Sequence, residues 1–525
     1  MLITALLIKY FQVEMALLAE GKEKRAFIRS TSRNSLLRST SRASCRMLSM
    51  AYIGRILRLL AYLLLIFLLY SFFLQYFGAR YSSLPRVSKP VPALLLSNDV
   101  SNTTIVTVDK SNAFLVVNSY FHFVSDNIVG FQAIGFTRCK PQNKSWTLII
   151  GDQAFPLEAE FIQEGCPTKL SCTWVDYRLR ANIPDSVDLD QPVYIESNDE
   201  FAKVDITVKN PYRRIEGMDV CVAPLYYFNN WIRVIEFVEF YKSNGVFHMY
   251  IYVSSASKTV LDLLKYYEKK GVVTVVEWPE LPKVDHEVDV RFRLGQHASI
   301  HDCVLRSTAK FVVNVDLDDW IYLINSTESL LEYVTRHSLK DPKIGAFQFH
   351  QQYARQNPHV GDLSDWKKID FDGLQEADMC DSCNYHYKSI IVGDAMDTLN
   401  PHQASLRKLP DGSGKSYTRF TVPKTVGRDY HVRFAMYKGW DKEELFEKRP
   451  LFPKSVGDNI KKTFDKIMEE FSKTHQNLTI PATSEIMQAC NPFSKCMNPY
   501  TSCSKNMSTI DSWMFASNTG QVIVI

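Results

Sequence analysis

Apolar positions between residues 218 and 319 switch repeatedly between two periods. Val220-Cys221-Val222-Ala223 is a short apolar run closed by Pro224. Trp231, Ile232, Val234, Ile235, Phe237, Val238 and Phe240 then recur at helical spacing with a broad buried face. Asn229 or Asn230 stands ready to cap that helix, and Gly245 ends it. A strand at 248–253 follows. Ser257 caps a second helix bearing Val260, Leu261, Leu264 and Tyr267, which closes on Lys269-Lys270-Gly271 with cations at the negative end of its dipole. A strand at 272–278, a helix at 295–307 and a strand at 310–315 complete the series, and the last runs straight into Asp316-Leu317-Asp318-Asp319. Strands separated by helices of roughly 10–15 residues predict βαβ units, an α/β domain with a mainly parallel central sheet covered on both faces. Ligands of such sheets bind beyond the carboxyl ends of the strands, where the acidic cluster falls.

Upstream, the pattern is of strands alone. Residues 111–205 hold apolar runs at 114–117, 146–150 and 193–195 between Gly, Pro and Asp/Asn breaks, predicting a small β-rich subdomain that Cys166 and Cys172 are placed to clip. Residues 78–110 lack a sustained period and carry Pro85, Pro90 and Pro92, as a stem does. Downstream of 206–435, the 436–525 segment contains Cys490, Cys496 and Cys503 and ends on Val522-Ile523-Val524-Ile525, an edge-strand pattern.

Charge and cysteine add a compartment. Residues 59–77 form an uncharged apolar run of 19 residues, close to the roughly 20 that a helix needs to cross a bilayer core. Residues 1–58 hold 11 Lys/Arg against 3 acids, whereas the whole chain is only +4. Positive flanks stay cytosolic, so the sequence predicts a single-pass type II membrane protein with a basic tail inside and everything beyond 77 in a secretory lumen. The basicity belongs to the tail and gives no argument for nucleic acid. Five Asn-x-Ser/Thr acceptors (Asn102, Asn143, Asn325, Asn477 and Asn506) and ten of the eleven cysteines lie beyond the apolar run, as a lumenal, disulfide-forming chain expects.

Asp-x-Asp alone is a weak signal. It occurs at Asp188/Asp190, Asp316/Asp318 and Asp370/Asp372, and only the second follows a buried-looking strand. A solvated turn is the alternative; an EF-hand is excluded by its missing glycine and distal glutamate. Carboxylates at this position suit a sugar transferase, because Mg²⁺ or Mn²⁺ takes one or two carboxylates and fills its remaining positions with phosphate oxygens and water. Cys380-Asp381-Ser382-Cys383 has metal spacing but lacks a second pair, and in a lumen it reads as disulfide.

The blocks Val220-Cys221-Val222-Ala223-Pro224-Leu225-Tyr226, Trp231, 239–245, Tyr250-Ile251-Tyr252, Gln296, Asp302-Cys303, Asp316-Leu317-Asp318-Asp319, Lys388-Ser389-Ile390-Ile391, His402 and His431-Val432-Arg433 occur in order, and over 215–435 the chain resembles glycosyltransferase family 92. Asp319 and Val432 stand where many relatives have Glu and Tyr. The resemblance implies a GT-A-like fold, a metal-dependent inverting transfer in the Golgi and galactose passed from UDP-galactose to a glycoprotein glycan, with fucose of N-glycans as one acceptor. It implies a donor and metal motif at Asp316 and Asp318, with His431 as third ligand and His402 as a weaker candidate. Lys388 and Arg433 are fixed positive charges for the diphosphate. An inverting transfer needs a carboxylate base; Glu376 is taken from the acidic stretch that also holds Asp372, Asp378 and Asp381. The rival reading is a non-catalytic glycan-binding or adhesion ectodomain on the same fold.

Overall fold

A computed structural model describes residues 114–516 apart from 139–144, 163–171, 173, 198–199, 210–212, 279, 282, 285–290, 357–358, 372–373, 375, 381–385, 434–445, 476–477 and 484–505, together with the short strands at 96–97, 105–106 and 523–524. The predicted membrane run 59–77 lies outside the described residues, as do the basic tail and most of the stem. No helix among the described residues is long and apolar enough to cross a membrane.

Alternating side chains build the first sheet. β1 (Phe114–Ser125), β2 (Ile128–Arg138), β3 (Trp146–Ile150), β4 (Gln153–Phe161), β5 (Trp174–Pro184), β6 (Val193–Ser197) and β7 (Glu200–Asp205) are joined in the order β1-β2-β5-β4-β3-β6-β7. Phe114, Val116, Phe131 and Ala133 face the sheet's own core, whereas Leu115, Ile134 and Phe136 face the next domain. That is the period-two alternation of a sheet buried on both sides. Ile523–Val524 adds an antiparallel edge to β1, as the C-terminal pattern predicts.

The second sheet carries the βαβ series. β8 (Ile215–Leu225), α1 (Trp231–Ser243), β9 (His248–Val253), α2 (Lys258–Lys269), β10 (Val273–Glu277), α3 (Gln296–Arg306) and β11 (Ala309–Val315) fall where the periodicity places them. Asn230 caps α1, its side chain accepting from Arg233 N–H at 3.0 Å. The four strands run parallel in the order β10-β9-β8-β11. The chain therefore winds outward twice, then jumps back across β8, leaving a switch point between the carboxyl ends of β8 and β11. Val220 and Val222 share one core with α1 and α2; Cys221 and Ala223 share the other with α3 and the first sheet.

Beyond β11 the sheet is mixed rather than mainly parallel. β12 (Asp319–Leu323), α4 (Leu330–Lys340), β13 (Ile344–Arg355), β14 (Glu376–Cys380), β15 (Tyr387–Val392), β16 (Thr418–Thr421), β17 (Gly427–Arg433) and β18 (Glu447–Pro450) follow. β15 is inserted antiparallel between β11 and β13, and β13 pairs antiparallel with β14 but parallel with β16 and β17. Among the described residues α4 is the longest helix between these strands, with 3-10 turns at Trp366–Lys368 and Gly393–Ala395. The final long helix, α5 (Lys454–Phe471), stacks Phe464 on Trp231 of α1 at 6.2 Å and belongs to the same core.

Two devices pin α3 beside the switch point. Asp176 of β5 accepts from Ala298 N–H at 3.1 Å, and Tyr120 of β1 donates to Asp302 at 2.7 Å. Cys221 of β8 is disulfide-bonded to Cys303 of α3 across 82 residues, with both cysteines buried. Closing a loop of that length contributes about 4 kcal/mol through the unfolded chain. The double variant Cys221→Ala/Cys303→Ala is expected to lose about that much in urea unfolding; an unchanged midpoint would show that the strand and helix packing suffices without the bond.

Candidate active site

The site begins where β11 stops. Asp319 N–H donates to the Asp316 carbonyl at 3.0 Å, and Asp316 N–H donates to Asp319 Oδ2 at 2.9 Å. This closed turn reverses the chain into β12, whose first residue is Asp319. β12 pairs antiparallel with β17, setting Asp319 opposite His431. β17 in turn lies parallel to β13, which brings Gln351 beside Asp429 and Tyr353 beside His431. Lys388 comes from β15, one residue before the Ser389–Asn314 pair with β11.

Asp319 is wholly buried, and both its oxygens are engaged. Oδ2 meets Lys388 Nζ at 2.7 Å in addition to Asp316 N–H; Oδ1 takes His431 Nδ1 and Gln351 Nε2, the latter at 3.2 Å. Burial would raise this carboxyl, but Lys388 and His431 outweigh it and hold it well below the usual range. Lys388 also binds Asp316 at 2.8 Å; burial opposes its charge, yet Asp316 and Asp319 push its ammonium up. Asp429, fully buried, is driven well above the carboxylate range by burial and by the Asp319 charge beside it.

His431 is locked in one tautomer. Arg433 Nε–H donates to His431 Nε2, so that nitrogen carries a lone pair and the proton sits on Nδ1 facing Asp319. A histidine whose second nitrogen is held by a carboxylate is the usual arrangement of a metal ligand. Asp318 Oδ2 stands 3.7 Å from His431 Nε2 and 3.6 Å from Arg433 Nε. Two ligands each about 2.1 Å from one ion stand roughly 3.0 Å apart at a right angle and about 4.2 Å apart when opposed, so Asp318 and His431 fit a shared divalent cation. Asp318, Asp319 and His431 form the geometric metal group among the described residues. The oxygens of Asp319 are already committed, so Asp318 and, once Arg433 releases its Nε2, His431 are the residues that could hold an ion, with Asp319 orienting the His431 ring.

The sequence-nominated residues are therefore partly reunited. Asp316, Asp318, Lys388, His431 and Arg433 converge. Asp316 lies outside the metal group, and the Lys388 ammonium is taken by Asp316 and Asp319 rather than turned toward a ligand. His402 stacks on His386 at 4.2 Å; burial, then the Lys388 charge, lowers it to about 4. Glu376 opens β14, opposite Pro450, whereas β14 reaches β13 only from Asp378 to Cys380. Asp378 binds Arg355 at 2.9 Å, and Asp372 and Asp381 lie outside the described residues. Gln351 and Asp429 went unrecognised in the sequence, although Asp429, His431 and Arg433 share one strand face at a spacing of two.

Backbone strain collects at the same rim. Tyr227 (φ 46°), just past β8, and Arg293 (φ 46°) and Leu294 (φ 59°), just before α3, all adopt left-handed conformations. Such residues cluster at ligand clamps. The two segments are tied together: Tyr226 Oη donates to the Leu294 carbonyl at 2.8 Å. Tyr227 is wedged edge-on against Trp513 at 5.2 Å, and its N–H donates to Ser255 Oγ at 2.8 Å.

Comparison with known proteins places this site within a family. Glycosyltransferase family 92 protein F13G3.3 of Caenorhabditis elegans is 32% identical over 111 residues, 19% of this chain and 22% of that protein. Beta-1,4-galactosyltransferase galt-1 of Caenorhabditis elegans is 23% identical over 321 residues, 56% of this chain and 67% of that protein. For the family 92 proteins F13G3.3, C33H5.2 and ZK381.2 the match spans 22%, 24% and 50% of their lengths. Among solved structures, the mannosyltransferase PcManGT from Pyrobaculum calidifontis in complex with GDP-Man and Mn2+ is similar at 13% identity and a TM-score of 0.24, over 44% of this chain and 59% of that one. The sequence model of glycosyltransferase family 92 matches residues 216–485, half of the chain and every residue of the Asp318–His431 site. The chain belongs to glycosyltransferase family 92.

Proposed function

We propose that the chain is a metal-dependent inverting glycosyltransferase that passes galactose from UDP-galactose to a glycoprotein glycan in the Golgi lumen. The observation that carries this reading is the tautomer-locked His431 beside Asp318 at the carboxyl end of β11, next to the switch point. Family membership supports glycosyl transfer, and the likeness to galt-1 supports galactose. Asp318 and His431 Nε2 would hold Mn²⁺ or Mg²⁺, which would supply positive charge for the departing diphosphate. Arg433, a quarter exposed beside Asp318, would release His431 Nε2 to the ion and supply its fixed positive charge to the diphosphate oxygens. Asp316, fixed by Lys388, would accept from the donor's ribose hydroxyls. Lys388 offsets the buried charge of Asp319, which keeps the His431 proton on Nδ1 and the lone pair on Nε2. The strained rim of Tyr227, Arg293 and Leu294, tied by Tyr226, would flank the donor at the switch point. A buried Lys388–Asp319–His431 arrangement is costly to keep, and a non-catalytic glycan-binding ectodomain has no use for it.

The lumenal, membrane-anchored setting is part of the same proposal. It is supported by the apolar run 59–77 and by the Cys221–Cys303 bond, with Cys172 and Cys380 disulfide-bonded as well. The test is UDP release by the chain purified from a secretory host, with Mn²⁺, a panel of UDP-sugars and fucosylated N-glycan acceptors. UDP-galactose should turn over, a chelator should abolish release and Mn²⁺ should restore it. Silence with every donor would favour the ectodomain reading.

A further inference from the structure

We infer that Asn325 carries an N-linked glycan whose first sugars lie in a groove beside it, on a face separate from the active site. This rests on the lumenal setting proposed above. The acceptor tripeptide Asn325-Ser326-Thr327 forms the turn between β12 and α4, and all three residues are exposed. Asn325 has φ 53°, a left-handed conformation that Asn tolerates better than most side chains. The turn is fixed at both ends. Ile324 N–H donates to the Val426 carbonyl at 2.9 Å before it, and Ser326 Oγ accepts from Glu328 N–H at 3.0 Å after it. A Ser329–Glu332 capping box then starts α4. No hydrogen bond to a described residue holds the Asn325 amide, so it is presented outward on a rigid support.

Beside it lies a groove of about 590 Å³ lined by Asn325 itself and by Phe240, Tyr322, Pro453, Asn244 and Glu328. That volume lies within the roughly 300–1,000 Å³ of ordinary ligand sites. The lining is more polar than apolar, with Ser243, Ser329, Glu332 and Ser455 beside Tyr322 and Pro453, and this mix suits pyranose rings, whose C–H faces pack on Tyr322 and Pro453 while their hydroxyls reach the polar side chains. From Asp319, β12 carries the chain about 13 Å before the turn begins, which keeps the glycan clear of donor and acceptor. Attachment needs a polyprenyl-diphosphate-linked oligosaccharide and the membrane transferase that uses it. Asn325 Nδ2 bonds to the anomeric carbon, the anomeric C–O bond breaks, the diphosphate leaves with the electron pair, and one amide proton is released.

The full chain, expressed in a secretory host, is compared with Asn325→Gln and Thr327→Ala by glycopeptide mass spectrometry. Thr327→Ala keeps the native residue at the left-handed position and guards against a folding defect in Asn325→Gln. Wild type should carry N-acetylhexosamine on the 325 peptide, and each variant should lose one glycan with UDP release unchanged. Amidase should release that glycan at least tenfold more slowly from folded than from denatured protein. A bare 325 peptide with another acceptor occupied would overturn the assignment and leave the lumenal reading standing. No acceptor occupied would overturn both. Equal release from folded and denatured protein would overturn the groove.

Discussion

Asp318→Ala is expected to lower sugar transfer by about 10³-fold while leaving thermal stability nearly unchanged. The side chain is one-third exposed, and its neighbours are the two groups it would share with a ligand, His431 at 3.7 Å and Arg433 at 3.6 Å. Its structural duty is carried by the backbone: the Asp318 carbonyl accepts from Val432 N–H at 2.7 Å, and alanine keeps that bond. A metal contributes several kcal/mol of charge stabilisation, and each ~1.4 kcal/mol is tenfold in rate; losing one of two protein ligands forfeits most of it. Asp318→Asn retains one neutral oxygen and should fall between, with a raised Mn²⁺ requirement. Full activity with an unchanged metal response in Asp318→Ala would sink the assignment of this carboxylate.

Lys388→Met should instead cost stability, about 3–5 kcal/mol in urea unfolding at pH 7.5, because it leaves a buried charge unpaired. Lys388 is 2% exposed and meets Asp319, which is fully buried. Wild-type Asp319 has a depressed folded pKa, so the stability it contributes is fully present above the unfolded carboxylate value near pH 4 and is lost as pH falls through the folded value. Removing Lys388 takes away the main depressing charge. Burial then raises the Asp319 carboxyl, it protonates at milder pH, and the deficit of Lys388→Met should narrow from pH 7.5 to pH 5.5. A deficit constant across that range would mean that lost packing, not an unpaired charge, dominates. Asp429→Asn should be close to neutral in wild type, because burial and Asp319 already favour the protonated form of this side chain.

The parallel half of the fold was legible because β8, β9 and β10 are each followed by a helix, and α1 and α2 carry their own caps and stops, from Asn230 before α1 to Gly271 after α2. The mixed half was not, because no regular alternation of strand and helix patterns runs through 319–450 to set the direction of β12 to β18. The acidic turn at 316–319 could be placed at a strand end from the apolar run before it. His431 and Arg433 came from family resemblance. Their partners were hidden by distance along the chain: Gln351 and Asp429 lie 78 residues apart and meet only through the parallel β13–β17 pairing. The same pairing explains why Asp319, ordinary as a letter in an acidic motif, becomes the buried hub of the site. Glu376 was nominated by composition, which says nothing of register, and the structure sets it at the start of β14.

The strand Trp513–Ala516 pairs on one side with Ser255–Ser257 and on the other with Leu96–Ser97. Its partner Ser255 also holds the N–H of strained Tyr227, which Trp513 wedges. During vectorial synthesis about 260 residues must follow Ser255 out of the ribosome before Phe515 can pair with it. The strained rim at Tyr227 is thus among the last parts to be completed: until the C-terminal strand docks, a nascent chain with an otherwise finished sheet lacks the Trp513 ring that packs against it.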